Sequence, residues 1–132
     1  MIVVDTNIIA YLLLPTPYSD ATDTLLRSEP EWVAPSLWRS EFRNVLAGYI
    51  RKGIVTLEAA LRLQENAETI ITEFHLPSAP VLALVRESNC SAYDCEFVAL
   101  AHQLAIPLVT QDKKILRAFP VTSVSITGFL GH

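Results

Sequence analysis

The order of sequence patterns along the chain predicts an α/β domain with a short, mainly parallel sheet. Short runs of branched apolar residues alternate with helical patterns throughout, as in strands joined by helices. The chain has 132 residues, of which 51% are hydrophobic and 18% charged. That length suits one core, and that composition is typical of globular proteins. We therefore expect residues 1–132 to form a single domain.

The first part of the chain predicts two strands separated by two helices. Residues 2–5 form an apolar run expected to be a buried strand. Residues 6–14 follow as an apolar helix, which Pro15 ends. Residues 19–28 predict a second helix, because a serine and an aspartate at its start can cap it, and residues 32–35 predict the second strand.

Three helices are predicted in the middle of the chain. Residues 36–52 form a long helical pattern closed by Gly53, since glycine is favoured just beyond a helix C-terminus. Residues 56–76 carry apolar positions near helical spacing, and Pro77 ends that pattern. Residues 78–89 predict the next helix, with a proline near its start.

The last part of the chain predicts two more strands and two helices. Residues 91–105 form a helical pattern, and residues 107–110 an apolar strand. A brief helix over residues 111–118 and a final strand near residues 121–126 complete the expected elements. The sequence contains no internal repeat or low-complexity tract.

Two acidic residues fall at the ends of predicted strands. Asp5 ends the first strand, and Asp112 lies just beyond the strand predicted over residues 107–110. Because ligands of α/β sheets gather at the carboxyl ends of the strands, both carboxylates are expected at the same edge of the sheet.

Two further acids, Glu41 and Asp94, lie on apolar faces of predicted helices. Their neighbours three, four or seven residues away on the helix are apolar. These neighbours are Leu37, Trp38 and Val45 for Glu41, and Phe97, Val98 and Ala101 for Asp94. A carboxylate on such a face is expected to need a partner.

Helix capping is an alternative explanation for the three aspartates, since aspartate is favoured at helix N-termini. Glu41 lies too far into its helix for capping, and its alternative is pairing with a base from elsewhere. If Asp5, Glu41, Asp94 and Asp112 converge, their mutual repulsion requires a divalent cation. Oxygen ligands without histidine or cysteine favour Mg²⁺ or Mn²⁺, and such ions support phosphoryl chemistry.

In order and spacing, four motifs resemble those of the PIN-domain ribonucleases, and among them the VapC toxins of type II toxin–antitoxin systems. The motifs are VDTN at residues 4–7, SEFRNVL at 40–46, AYDCEFVALA at 92–101 and TQD at 110–112. The resemblance implies a three-layer α/β/α fold, an Mg²⁺ or Mn²⁺ cofactor and hydrolysis of RNA phosphodiesters by a metal-activated water. It also implies a cognate antitoxin protein as a partner and a homodimer.

The resemblance assigns the acidic quartet of catalytic and metal-binding residues to Asp5, Glu41, Asp94 and Asp112. It further implies that Thr6 and Thr110 orient metal ligands or waters and that Asn7 supports the first motif. Asn44 lies one helical turn after Glu41 and is expected to hold its carboxylate by a hydrogen bond.

The basic residues available to hold RNA are few, because the net charge is −4. Lys113 and Lys114 directly follow Asp112, and we expect them to contact RNA phosphates, although a solvated surface explains them equally well. Arg39 and Arg43 share a helix face that points away from Glu41. No apolar run is long enough to span a membrane, and no basic leader precedes residues 2–4, so a cytoplasmic protein is expected.

Two other functions remain open from the sequence. One is a non-catalytic RNA-binding or interaction module on the same fold. The other is a haloacid-dehalogenase-like Mg²⁺ phosphatase, which also has an aspartate at the end of its first strand. That family needs a second aspartate two residues later, where this chain has Asn7.

Overall fold

The computed structural model describes residues 1–131, and His132, which fits no sequence motif, lies outside them. Within residues 1–131 the chain forms five strands and eight helices. In chain order these are β1 (Ile2–Val4), α1 (Thr6–Leu13), α2 (Ser19–Ser28), β2 (Trp32–Pro35), α3 (Trp38–Arg51), α4 (Leu57–Ile70), β3 (Ile71–Phe74), α5 (Ser78–Glu87), α6 (Ala92–Leu104), β4 (Leu108–Val109), α7 (Lys113–Ala118), β5 (Ser123–Val124) and α8 (Ile126–Leu130).

The five strands form one sheet in the order β3-β2-β1-β4-β5, and every pairing is parallel. The central strand β1 pairs with β2 on one side and with β4 on the other. The chain leaves β1 toward β2 and leaves β4 toward β5, in opposite directions. The carboxyl ends of β1 and β4 therefore flank the point of the sheet where α/β proteins bind ligands.

Helices cover both faces of this sheet. Helix α1 contacts α2, α3 and α4, whereas α6 contacts α5 and the strands β1, β2 and β4. The largest fully buried side chains come from both layers and from the sheet, and they include Trp32, Trp38, Phe42 and Phe97. The predicted α/β/α arrangement with a short parallel sheet is confirmed. Among the helices of residues 1–131, none is long and apolar enough to cross a membrane.

One strand was not predicted. The helix expected over residues 56–76 ends at Ile70, and the backbone becomes extended at Ile71, where β3 begins. Ile71 continues the helical spacing of the apolar residues before it, which hides the boundary in the sequence. The strand forms because Ile71–Phe74 pair with Trp32–Pro35 of β2, a contact between distant parts of the chain.

The C-terminal segment also differs from the expectation. The strand predicted near residues 121–126 is limited to Ser123–Val124, and a short helix, α8, follows it. Ser125 caps that helix, since its hydroxyl accepts a hydrogen bond from the Gly128 amide at 3.0 Å. Ser125 is therefore the sequence signal for the start of α8, and the predicted strand wrongly extended past it.

Candidate active site

Asp5 reaches the site from the end of β1. Its backbone amide donates to the Val109 carbonyl at 3.1 Å, which fixes the ends of β1 and β4 beside each other. Asp5 occupies the N-cap position of α1, but its side chain makes no capping hydrogen bond. Instead, Oδ2 of Asp5 accepts a hydrogen bond from Thr110 Oγ1 at 2.7 Å. Capping therefore does not explain this aspartate, which is only 8% exposed.

Glu41 comes from the first turn of α3 and is half-buried. Its Oε1 accepts a hydrogen bond from Thr6 Oγ1 at 2.7 Å, so the residue after Asp5 holds the second carboxylate. The expected hydrogen bond from Asn44 is not among those formed within residues 1–131, although Asn44 lines the same cavity. The sequence favoured Asn44 because it is a local neighbour on α3, whereas Thr6 approaches from another helix.

Asp94 lies in the first turn of α6 without being its cap. Ser91 is the N-cap, and its hydroxyl accepts from the Asp94 amide at 3.0 Å. The Asp94 carboxyl in turn hydrogen-bonds Ser91, as the third residue of a capping box does, and it is half-buried at the site.

Asp112 does cap its helix. Its Oδ1 accepts from the amides of Lys114 at 2.8 Å and Ile115 at 3.1 Å, which fixes the start of α7. Its own amide donates to Thr110 Oγ1 at 3.0 Å. Thr110 thus joins two acids, because its hydroxyl donates to Asp5 and accepts from Asp112. For Asp112 the capping explanation is correct, and the same side chain also faces the site.

The four acidic side chains line one open cavity of about 240 Å³. The complete set of lining residues is Asp5, Thr6, Asn7, Glu41, Asn44, Val45, Asp94 and Asp112. No lysine or arginine belongs to this lining within residues 1–131, and none forms a salt bridge with the four acids there. The cavity therefore concentrates negative charge that no salt bridge of the described residues offsets.

Burial and mutual repulsion raise the pKa values of three of these carboxyls. Burial is the largest cause of raising the pKa of Asp5 from its ordinary 3.8 to about 6, and the charges of Glu41 and Asp94 raise it further. The hydrogen bond from Thr110 acts in the opposite direction. Burial likewise raises the pKa of Glu41 and of Asp94, with added repulsion from Asp94 and Asp112 respectively. The cluster therefore favours binding a positive charge.

The residues fit a divalent cation by charge and by donor type. All four acids offer oxygen ligands, and neither histidine nor cysteine lines the cavity, which suits Mg²⁺ or Mn²⁺. Within residues 1–131, however, no three His, Cys, Asp or Glu side chains already converge on one point as metal ligands. Each of Asp5, Glu41 and Asp112 is instead held by hydrogen bonds from its own chain. Binding an ion thus requires side-chain rotation within this cavity.

A fifth acid near the cavity was not predicted. Glu96 is half-buried on α6, and its charge contributes to the raised pKa of Glu41. Burial also raises the pKa of Glu96. Glu96 had no sequence signal, because a residue two positions after Asp94 is expected on a different side of the helix.

The predicted RNA-contacting lysines lie beside the cavity. Lys113 and Lys114 are exposed in the first turn of α7 and do not line the cavity itself. Arg39 points away from the site, as expected, and pairs with Glu68 and Glu73. Arg43 lines a separate apolar groove between α3 and α4.

Comparison with known proteins gives a family match over most of the chain. The sequence profile of the PIN domain matches residues 2–119. A relative named Ribonuclease VapC3, from Pyrobaculum aerophilum, is 27% identical over 124 residues, which cover 90% of this chain and 95% of that protein.

Solved structures share the fold at lower sequence identity. A crystal structure from Pyrobaculum aerophilum has a TM-score of 0.80 at 21% identity, covering 98% of this chain and 92% of that one. A toxin–antitoxin complex from Klebsiella pneumoniae has a TM-score of 0.72 at 16% identity, covering 96% and 98%. FitAcB from Neisseria gonorrhoeae has a TM-score of 0.71 at 21% identity, with the same coverage. At these identities the similarity establishes the fold.

Proposed function

Because the chain belongs to the PIN domain family, we propose that it is a divalent-metal-dependent endoribonuclease that hydrolyses RNA phosphodiesters. The observation that carries the proposal is the single cavity lined by Asp5, Glu41, Asp94 and Asp112. These acids come from four separate parts of the chain, and folding brings them together without a salt-bridged lysine or arginine among residues 1–131. Such a cluster is costly for the fold and suits a cation-binding function.

The four carboxylates would hold the cation, with Mg²⁺ or Mn²⁺ favoured by the all-oxygen donor set. When bound, the ion would polarise a phosphate oxygen and lower the pKa of a coordinated water. Thr110 fixes the orientation of Asp5 through the hydrogen bond at 2.7 Å, and Thr6 fixes that of Glu41 in the same way. These two hydroxyls keep the carboxylates at the cavity, so the rotation that ion binding requires starts from side chains already at the site.

Asp112 has a different part in the proposed site. Its Oδ1 is occupied by two amides of α7, so Oδ2 is the oxygen that faces other ligands. Capping holds this side chain at the sheet edge even when no ion is bound. Asp94 lies beside the N-cap Ser91 of its helix, and its carboxyl lines the same cavity.

RNA is the proposed substrate because the relative that covers most of the chain is named a ribonuclease. The same relative, and the toxin–antitoxin complex of the same fold, support a cognate antitoxin protein as the partner. We accordingly propose that the chain acts as the toxin of such a pair, as a homodimer. No contact of the described residues favours the phosphatase or a non-catalytic module.

Cleavage of structured RNA tests this proposal. Purified protein is incubated with RNA and Mn²⁺, with and without a chelator, and the product ends are identified. We expect cleavage with Mn²⁺ only, leaving 3′-hydroxyl and 5′-phosphate ends. Asp5→Asn should abolish it, whereas Glu65→Gln, which removes an exposed carboxylate from α4, should not.

Cleavage that survives the chelator, or that is unchanged in Asp5→Asn, would contradict the proposal. RNA binding without any cleavage would favour the non-catalytic module. Release of phosphate from a monophosphate ester, without RNA cleavage, would favour the phosphatase.

A further inference from the structure

A second cavity, of about 370 Å³, lies between the end of α5 and the helix α7. Its lining residues are Glu87, Ser88, Asn89, Cys90, Lys114, Arg117 and Ala118. Lys114 and Arg117 are three residues apart on α7, so their side chains project from the same side of that helix. One wall of the cavity is therefore basic in a chain whose net charge is −4.

Neither cation of this cavity is neutralised within residues 1–131. Lys114 and Arg117 are exposed, and neither forms a salt bridge there, even with Glu87 on the opposite wall. Arg117 Nε donates to the Lys113 carbonyl at 3.2 Å, which holds the guanidinium against its own helix. Arg39, by contrast, is paired with two glutamates. The basic wall is thus available to an anion from outside.

This cavity adjoins the carboxylate cavity. The Lys114 amide donates to Oδ1 of Asp112 at 2.8 Å, so the acid that faces one cavity anchors the helix that lines the other. Burial raises the pKa of Asp94 and of Cys90, and the nearby Lys114 ammonium opposes that rise in both groups. Lys114 is two residues from an acid of the carboxylate cavity, so a polynucleotide bound at the carboxylates would pass next to this wall.

We propose that the cavity between α5 and α7 binds an RNA phosphodiester next to the one that is cleaved, through Lys114 and Arg117. Guanidinium groups bind phosphate oxygens in a bidentate manner, and an ammonium adds a point charge. Asn89 on the opposite wall adds amide hydrogen-bond donors. The inference rests on the proposed ribonuclease function, and it adds Arg117 to the residues expected to hold the substrate.

Salt-dependent RNA binding tests the inference apart from catalysis. Binding of a fluorescent single-stranded RNA is measured with a chelator present, between about 50 and 200 mM salt. Each lost phosphate contact should reduce the slope of log K against log salt by about 0.7. We expect that reduction in Arg117→Ala and twice that in the double variant with Lys114→Ala. Arg117→Lys should recover part of the affinity, and Arg62→Ala on α4 is the matched control.

An unchanged slope and affinity in both variants would overturn the inference. So would an equal loss in Arg62→Ala, because the effect would then come from overall charge. Polyglutamate binding that depends on Arg117, with RNA binding unaffected, would also overturn it and indicate an acidic protein segment instead. Metal-dependent cleavage by the unmodified protein is measured separately. Failure of that cleavage rejects the proposed function, and an unchanged slope rejects the subsite.

Discussion

Replacing Asp5 with asparagine should stabilise the metal-free protein. Asp5 is 8% exposed, and burial together with neighbouring carboxylates raises its pKa from 3.8 to about 6. A folded-state pKa above the unfolded value means that the fold binds the proton more tightly than the unfolded chain does. The associated stability is fully present below the unfolded pKa and is lost as the pH rises through about 6.

The size of this effect follows from the shift. At 1.36 kcal/mol per pKa unit, ionised Asp5 destabilises the fold by about 3 kcal/mol relative to its protonated form. Between about pH 5 and about pH 7.5 the contribution of Asp5 to the free energy of unfolding changes by about 1.4 kcal/mol. The rest of the effect lies below pH 5. Asparagine has no charge to lose, and its carbonyl oxygen can still accept the hydrogen bond from Thr110.

The measurement is the free energy of unfolding in urea with a chelator present, at the two pH values. The difference between Asp5→Asn and the unmodified protein should be larger at the higher pH by about 1.4 kcal/mol. The Glu65→Gln variant removes an exposed carboxylate from α4 and controls for loss of one charge. A difference that stays constant with pH, or that grows as the pH falls, would refute the electrostatic reasoning.

Three further outcomes are expected from the same contacts. Thr110→Val removes hydrogen bonds to both Asp5 and Asp112. It should lower the free energy of unfolding by about 1–3 kcal/mol and raise the pKa of Asp5. Urea unfolding at a series of pH values measures both effects. Asp112→Ala should lose about 1 kcal/mol of helix capping, whereas Asp112→Asn should retain it, and equal losses would contradict the cap. Mn²⁺ at 100 times its Kd should stabilise the unmodified protein by about 2.7 kcal/mol, seen as a higher Tm, and an unchanged Tm would count against an ion site.

The sequence predicts which carboxylates meet in one cavity where local rules apply. Asp5 and Asp112 follow apolar strands, and the carboxyl ends of parallel strands meet at one edge. Glu41 and Asp94 were identified because a carboxylate on an apolar helix face needs a partner. These inferences use only the spacing of residues within one strand or helix, and that local spacing is the same in the folded chain.

Capping could not be resolved from the sequence. Asp5 and Asp112 each directly precede a helix, yet only Asp112 bonds the amides of its helix. The Asp5 carboxylate turns instead to Thr110, which is 105 residues away in the chain. The difference thus depends on a contact between distant segments, for which spacing along the chain gives no signal.

Other features depend on packing between elements in the same way. The strand β3 forms because Ile71–Phe74 pair with β2, although their local spacing continues a helix. The basic cavity exists because α7 lies beside the end of α5, so Arg117 had no sequence signal of its own. Likewise, Glu96 lies near Glu41 only because α6 and α3 are brought together in the fold.

The dependence of the RNA cleavage rate on Mn²⁺ concentration tests the central claim most directly. Asp5→Asn, Glu41→Gln, Asp94→Asn and Asp112→Asn are compared with the unmodified protein and with Glu65→Gln. If the four acids form one cation site, each of the four variants should lose about 100-fold or more in rate at low Mn²⁺, while Glu65→Gln should lose none. Equal rates across all variants, or cleavage that does not depend on Mn²⁺, would contradict it.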